Sequence, residues 1–171
     1  MTDYLHDMQI AQEFAALNRQ TIGEIILRNM KLKAVDTFQS IHNYVDIEEK
    51  IIRKGAIAAP SGKRIIIPIN NLEGSLICIG RGNADWNNTA PHGAGRLYSR
   101  SEAKDIVTLS ECKKEMDKAG VFTTSLNEGT LDEAYKVYKS MDYIKSHIEN
   151  TAEVIETLRP IYNFKIGSKK A

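Results

Sequence analysis

The chain has 171 residues, which is enough for one domain with a buried core and too few for two domains of ordinary size. Its 23 basic and 22 acidic residues nearly cancel, so any nucleic-acid partner has to meet a local basic surface. The sequence contains no apolar run of about 18 residues and no secretion signal at its N-terminus. We therefore expect a globular cytoplasmic protein that does not span a membrane.

Helical periodicity comes first along the chain. Apolar residues recur at spacings of three, four and seven over residues 1–30, which predicts one helix with an apolar stripe. Residues 34–98 then predict a β-rich region. Its short β-type runs, separated by turn signals, are 34–38, 51–52, 64–67 and 76–79. The third of these runs contains the continuous apolar segment Ile65-Ile66-Ile67, which is followed by Pro68. This predicts a strand buried on both faces and ended by the proline.

Mainly helical patterning returns over residues 99–160. Short helices are predicted at 101–105 and 108–118, the second with a capping box formed by Thr108 and Glu111 and a C-terminal stop at Gly120. The last helix is predicted from Met141 to Leu158 because apolar residues form a stripe that Pro160 closes.

The sequence of residues 161–171 predicts a terminal strand over 161–166, followed by a polar tail over 167–171. The whole pattern is that of a single α+β domain, residues 1–171, with antiparallel or mixed β structure flanked by helices. The two cysteines, Cys78 and Cys112, have no metal-like or disulfide-like spacing, so we expect both to be free and buried.

His92 lies in the sequence Pro-His-Gly-Ala-Gly-Arg at positions 91–96. The small residues after it leave backbone N–H groups uncovered, so an anion can approach closely. Arg96 adds a guanidinium fork suited to phosphate, and Arg100 projects from the same side if a helix starts there. A histidine in this setting can bind a metal, transfer a proton or attack phosphorus. We therefore expect His92 to be the chemical centre of the chain and to act on phosphate.

Other interpretations of this loop exist. In one, the glycines only relieve backbone strain and His92 is a surface residue. An α/β-hydrolase oxyanion loop is excluded because the chain has no Gly-x-Ser-x-Gly elbow. A dinucleotide-binding loop is excluded because Gly80 and Gly82 lack a third glycine at the required spacing.

His42 is a second candidate. It is followed by Asn43 and then by carboxylates at positions 46, 48 and 49. A histidine flanked by carboxylates can contribute to a divalent metal site. Structural zinc needs about four protein ligands, however, and this region does not supply them.

Several short motifs, taken together and in order, are more specific than any one of them. They are His42-Asn43-Tyr44, Arg53-Lys54-Gly55-Ala56, Ile67-Pro68 with Gly74-Ser75, His92-Gly93-Ala94-Gly95-Arg96 with Ser99-Arg100, and Pro160-Ile161 with Lys165. This series resembles the RtcB family, GTP-dependent RNA ligases that join a 3′-phosphate or 2′,3′-cyclic phosphate end to a 5′-hydroxyl end. The resemblance runs from about Tyr4 to Lys165 and implies the C-terminal part of the RtcB fold.

The resemblance implies roles for individual residues. His92 is similar to the histidine that attacks GTP and becomes covalently bound to GMP, and His42 is similar to a ligand of Mn²⁺. The residues that correspond to the nucleotide site are Asn43, Pro68, Ile69, Asn70, Asn71, Ser75, Gly93, Ala94, Gly95, Tyr138 and Lys165. Those that correspond to the RNA phosphate site are Lys54, Arg96 and Arg100. The expected cofactors are thus GTP and Mn²⁺.

The resemblance also implies partners. The family's metal centre draws an Asp, a Cys and two further His from an N-terminal half that has no counterpart in this sequence. We therefore expect the chain to be the C-terminal portion of such a ligase, whether a split or truncated product or an excised fragment, and expect that it does not guanylylate itself alone. The partners that the resemblance implies are a separate N-terminal half and an archease-like helper. Two alternatives stay open: a non-catalytic module that binds RNA or nucleotide, and a structural fragment whose exposed apolar surface drives self-association.

Overall fold

A computed structural model describes residues 2–165 of the protein. In chain order its regular elements are α1 (Thr2–Asn29), β1 (His42–Asp46), β2 (Ile51–Ala58), β3 (Arg64–Asn70), β4 (Gly74–Gly80), β5 (Thr89–Pro91), α2 (Ala103–Ile106), α3 (Leu109–Ala119), β6 (Phe122–Thr123), α4 (Met141–His147), β7 (Ala152–Leu158) and β8 (Tyr162–Asn163). Short 3₁₀ helices lie at Ala84–Trp86, Glu128–Glu133 and Tyr135–Val137. The α+β class predicted from the sequence is confirmed.

The helix predicted for the first thirty residues is confirmed as α1, but its apolar stripe does not enter the core. Of the residues of that stripe, Ile22 is 49% exposed and Ile26 is 51% exposed, while Leu5 and Met8 are only half-buried. The helix is tied to the rest of the chain by polar contacts, since the side chain of Gln12 accepts a hydrogen bond from the N–H of Val45 at 2.8 Å. Among residues 2–165, no helix combines the length and the apolar character needed to cross a membrane.

Two three-stranded antiparallel sheets form the centre of the fold. The first has the order β1-β2-β5 and the second the order β3-β4-β7. In the second sheet Ile65, Ile67 and Ile69 point into the core, whereas Ile66 is only half-buried, so β3 is buried mainly on one face. The prediction of a strand buried on both faces was therefore wrong.

Pro68 also does not end β3, which continues to Asn70. Pro68 sits opposite Ser75 in the β3–β4 pair. Because β3 is an edge strand, a residue without an N–H group removes no bond that the sheet needs.

The predicted long helix from Met141 to Leu158 was wrong in its second half. The helix α4 ends at His147, and the chain turns through Ile148 into β7, which pairs with β4. The side chains of Ile148 and Ala152 are buried, as the helical stripe requires, but Ile155 and Leu158 are 53% and 41% exposed. Pairing with β4 is a long-range contact that favours extended backbone at the β-branched residues of this segment.

The smaller elements differ from prediction in detail. Residues 34–38 form no strand, and the terminal strand is limited to β8, which pairs in parallel with β6. Residues 166–171 lie outside the described residues, and with them the predicted tail. The short helix predicted at 101–105 is α2, one turn long. Helix α3 carries the predicted capping box of Thr108 and Glu111 and ends at Gly120, so these predictions are confirmed.

Two buried clusters meet at Tyr138. One lies under the sheets and α4, with Ile57, Ile67 and Leu76 among its members. The other lies around α2 and α3, and Val137 belongs to it. The side chain of Tyr138 packs against both clusters, which fixes the segment after the third 3₁₀ helix between them.

Both cysteines are free and buried, as expected. Burial raises the pKa of the Cys78 thiol to about 11 and also raises that of Cys112. Neither thiol is therefore activated as a nucleophile at neutral pH.

Candidate functional site

A cleft of about 750 Å³ is bounded by the loop that carries His92, the end of β3, the segment 123–138 and the C-terminal end of the described chain. Most of the residues singled out in the sequence line it. They are His42, Pro68, Ile69, Asn70, Asn71, His92, Gly93, Ala94, Gly95, Arg96, Arg100, Tyr138 and Lys165. The fold thus brings together residues that are far apart in the chain, and their individual roles stay predictions.

Main-chain contacts hold the His92 loop against three elements. The N–H of Ala94 donates to the carbonyl of Pro68 at 3.1 Å, and the N–H of Leu97 donates to the carbonyl of Val137 at 2.7 Å. A longer contact of 3.5 Å joins the N–H of His92 to the carbonyl of Gly55 in β2. The loop therefore bridges both sheets and the 3₁₀ segment, which positions the imidazole at their junction.

This attachment changes one expectation about the loop. The N–H of Ala94 is bonded to Pro68 and is not available to an anion, so the predicted set of uncovered N–H groups is smaller than the sequence indicates. Gly93 allows the His92 loop to pass close to β3, because a Cβ at this position would lie 3.1 Å from the carbonyl oxygen of Pro68.

The imidazole rings of His42 and His92 stack on each other. Their centroids are 5.0 Å apart and their planes differ by 25°. Burial lowers the pKa of His42, and the nearby charges of His92 and Arg19 lower it further, so the neutral ring is favoured. Neutral imidazole is the form that binds metals and attacks phosphorus.

The carboxylates that follow His42 in the sequence do not join it. Asp46 accepts a hydrogen bond from the N–H of Glu49 at 3.1 Å and lies 3.8 Å from Nε of the buried Arg53. The side chain of Glu49 pairs with Nη2 of Arg53 at 2.7 Å. Within residues 2–165 no group of three or more His, Cys, Asp or Glu side chains is placed to hold a metal ion. The described residues therefore do not make a complete manganese site.

Three predicted site residues lie away from the cleft wall. Asn43 is used structurally, since its Oδ1 accepts a hydrogen bond from the N–H of Gly55 at 2.8 Å. Lys54 is exposed on β2 and borders a separate groove that contains Trp86. Ser75 is half-buried in β4.

The two asparagines at the end of β3 differ in what they offer to a ligand. Oδ1 of Asn70 accepts hydrogen bonds from the N–H groups of Leu72 and Glu73, at 3.0 and 2.8 Å, and its Nδ2 donates to Glu73 at 2.6 Å. Its side chain is thus committed to its own turn. Oδ1 of Asn71 is buried and has no hydrogen-bond partner among the described residues, so it is the amide oxygen that a nucleotide could use.

The basic side chains of the cleft are paired with protein groups. Arg96 donates through Nη1 to the hydroxyl of Tyr138 at 3.0 Å, through Nε to the carbonyl of Tyr98 at 3.3 Å, and through Nη2 to the carbonyl of Asp132. The carboxylate of Glu133 lies 3.7 Å from Arg96 and 3.5 Å from Lys165.

Comparison with known proteins decides the family. The family model described as tRNA-splicing ligase RtcB matches residues 1–166. The chain belongs to the RtcB family. It is 30% identical to the RNA-splicing ligase RtcB of Escherichia coli strain K12, over 93% of this chain and 42% of that protein. It is 29% identical to the tRNA-splicing ligase RtcB of Aeropyrum pernix, over 93% of this chain and 40% of that protein. The chain therefore spans about two fifths of the length of these relatives.

Asp132 and Glu133 are two acidic residues at the cleft that the sequence analysis did not single out. Glu133 lines the cleft, and its Oε2 accepts a hydrogen bond from the hydroxyl of Tyr138. Two adjacent acidic residues are not distinctive in a chain with 22 of them, so the sequence holds no local signal that could have found these two.

The charges around Glu133 shift two pKa values in opposite directions. Partial burial opposes ionisation of Glu133, but the Tyr138 hydrogen bond and the charges of Lys165 and Arg96 together lower its pKa. Burial, followed by the hydrogen bond to Glu133 and its charge, raises the pKa of Tyr138 to about 12. At neutral pH the pair is therefore a carboxylate and a neutral phenol.

Proposed function

We propose that this chain carries the nucleophile and most of the guanosine pocket of a GTP-dependent RNA ligase that joins 3′-phosphate or 2′,3′-cyclic phosphate ends to 5′-hydroxyl ends. The observation that carries the proposal is the position of His92. It lies in the wall of the cleft, stacked on His42 and held by a loop that bridges both sheets, in a chain of the RtcB family.

The proposed first step is nucleophilic. A ring nitrogen of neutral His92 attacks the α-phosphorus of GTP and forms a nitrogen–phosphorus bond. The bond from the α-phosphorus to the bridging oxygen breaks, pyrophosphate leaves with the electron pair, and the ring gives up its remaining proton to water. A 3′-phosphate oxygen of the RNA then takes GMP from His92. The 5′-hydroxyl finally attacks the activated 3′-phosphate, and GMP leaves.

Other residues of the cleft support binding in this proposal. Tyr138 and Lys165 border the space assigned to guanine, and the Oδ1 of Asn71 offers an unpaired acceptor. Arg100, 76% exposed along its side chain, is the basic group best able to reach an RNA phosphate. Lys54 lies outside the cleft, so in this proposal it meets RNA beyond the reacting end.

Mn²⁺, when bound, would supply charge neutralisation at the phosphates. His42 is the described residue best placed to contribute to such a site. One or two imidazoles cannot complete it, because a divalent metal ion needs several protein ligands to bind tightly. We therefore propose that the remaining ligands come from the N-terminal half of the ligase, and that the complete ligase acts in the cytoplasm with an archease-like helper.

Mass spectrometry of the chain tests the proposal. The chain is incubated with GTP and Mn²⁺, alone and with a separately made N-terminal half of a family member. We expect a GMP adduct on His92 only in the mixture, and none with His92→Asn. His147→Asn is the matched control, since His147 is exposed and lies outside the cleft. An adduct in the isolated chain would contradict the need for a partner, and an adduct on another residue would contradict the role of His92.

A non-catalytic module that binds RNA or nucleotide is the second candidate function. The incomplete set of metal ligands among residues 2–165 favours it. It predicts salt-sensitive RNA binding through Lys54, Arg96 and Arg100 with no adduct under any of these conditions. The apolar residues exposed on α1 favour self-association as a third candidate, which light scattering would detect as a mass above that of one chain.

A further inference from the structure

One carboxylate lies among all the basic side chains of the cleft. Oε1 of Glu133 is 3.7 Å from Nη1 of Arg96, 3.9 Å from Nη2 of Arg100 and 3.5 Å from Nζ of Lys165. These separations exceed the 2.7–2.9 Å or so of a good charge-assisted hydrogen bond. The oxygen is thus shared by three cations and is bound closely by none of them.

The three cations differ in how firmly the protein holds them. Arg96 donates hydrogen bonds to three other acceptors, the hydroxyl of Tyr138 and the carbonyls of Tyr98 and Asp132. The protein therefore holds its guanidinium group firmly in place. Arg100 is 76% exposed and its other contact is with the carboxylate of Asp132 at 3.3 Å. An exposed ion pair of this kind contributes little free energy, so Arg100 can exchange its partner readily.

An anion that enters this cluster has to replace Glu133. A phosphodiester carries one negative charge, as the carboxylate does, so the exchange gains no Coulomb energy. A terminal phosphate carries up to two charges above its second pKa of about 6 and so gains from the exchange. Building on the proposed RNA ligase function, we propose that Glu133 restricts anion binding at this cluster to terminal phosphates. Its carboxylate takes the place of a phosphate oxygen among Arg96, Arg100 and Lys165, and a terminal phosphate monoester displaces it more readily than an internal phosphodiester does.

RNA binding tests the discrimination directly. Two short RNAs of one sequence, one ending in a 3′-phosphate and the other in a 3′-hydroxyl, are titrated at pH 8 with fluorescence anisotropy as the readout. We expect the chain to bind the 3′-phosphate RNA several-fold more tightly. In Glu133→Gln we expect tighter binding of both RNAs, so that the 3′-hydroxyl RNA, which gains nothing by displacing the carboxylate in the parent chain, binds several-fold more tightly. The charge-matched control is Glu149→Gln, since Glu149 is exposed and has no ion pair among the described residues; its affinities for both RNAs should equal those of the parent chain.

A second titration separates this inference from the RNA ligase proposal. Methyl phosphate and dimethyl phosphate, a monoester and a diester without any nucleoside, are added while the NMR signal of Arg100 Nε is followed. We expect saturable shifts with methyl phosphate alone in the parent chain, and with both compounds in Glu133→Gln. If neither RNA binds but methyl phosphate does, the ligase proposal loses its support and the role of Glu133 stands.

Other outcomes overturn the inference. They are unchanged binding of the 3′-hydroxyl RNA and of dimethyl phosphate in Glu133→Gln, weaker binding of both anions in that variant, or no binding of methyl phosphate to any variant. The amide NMR spectrum shows whether Glu133→Gln is folded. If it is not, Asp132→Asn removes the neighbouring carboxylate from Arg100 and should tighten the binding of both RNAs by a smaller factor.

Discussion

His42 and His92 stack with ring centroids 5.0 Å apart, although one lies at the start of β1 and the other follows β5. β2 lies between these two strands and pairs with both of them, which brings the two rings to the same end of the sheet. The stacking gives His92 an aromatic neighbour. Among residues 2–165, no third metal-binding side chain lies close enough to form a site with the two histidines. The site thus has a proposed nucleophile, His92, and an incomplete set of metal ligands among residues 2–165.

The first prediction concerns metal binding by the isolated chain. Because the described residues provide imidazoles but no group of three ligands, we expect the electron paramagnetic resonance signal of free Mn²⁺ to persist at equal concentrations of chain and metal. His42→Ala should remove the weak binding that remains, and His147→Ala should not. Tight binding by the chain alone would contradict the prediction.

The second prediction tests the pairing of β4 with β7, which the sequence did not predict. Gly74 has a φ of +94°, and a Cβ there would lie 2.0 Å from the carbonyl oxygen of Leu158. Gly74→Ala should therefore lower the free energy of unfolding by at least about 2 kcal/mol. Gly23→Ala is the control, because its Cβ would meet nothing within 4 Å on the exposed helix α1. That change should stabilise the protein by about 0.5–1 kcal/mol.

Urea denaturation measures both changes in the free energy of unfolding. A Gly74→Ala protein as stable as the parent would mean that β7 does not pass close to this turn. That result would favour the alternative prediction, a continuous helix over residues 141–158.

Elements with local signals could be predicted from the sequence. The limits of helix α3 follow from its caps, Thr108 and Gly120, because capping interactions join residues close in the chain. The strand β7 could not be predicted in this way. Ile148 and Ala152 fit both a helical stripe and a turn that enters a strand, and pairing with the distant β4 decides between them.

The same distinction applies to the site. The loop from His92 to Arg96 is recognisable because its residue types and spacing are themselves distinctive. Glu133 is not recognisable, since its contacts with Lys165 and Arg100 exist only after the chain folds. The sequence likewise could not indicate that Arg96 is largely committed to Tyr138 and to main-chain carbonyls.

The third prediction concerns Arg53, whose side chain is 1% exposed. It pairs with Glu49 at 2.7 Å and donates to the carbonyl of Asn87 at 3.0 Å, and so joins β2 to the loop before β5. Arg53→Ala should lower the free energy of unfolding by about 2–3 kcal/mol, because the Asn87 carbonyl loses its donor and Glu49, itself half-exposed, stays partly solvated. Arg159→Ala, at an exposed position, should change it by less than about 0.5 kcal/mol. Equal urea midpoints for the two variants would contradict this structural role for Arg53.

The last prediction concerns pH and Glu133. Its pKa in the folded protein is below the ordinary value of 4.5, so its ionised form stabilises the fold. That contribution is fully present above pH 4.5 and is lost as the pH falls through the lower folded value. Urea denaturation at a series of acidic pH values and constant salt should therefore show a smaller loss of stability with falling pH for Glu133→Gln than for the parent chain. Glu149→Gln should follow the parent chain, and a Glu133→Gln protein with the parent's pH dependence would show that the basic cluster does not stabilise this carboxylate.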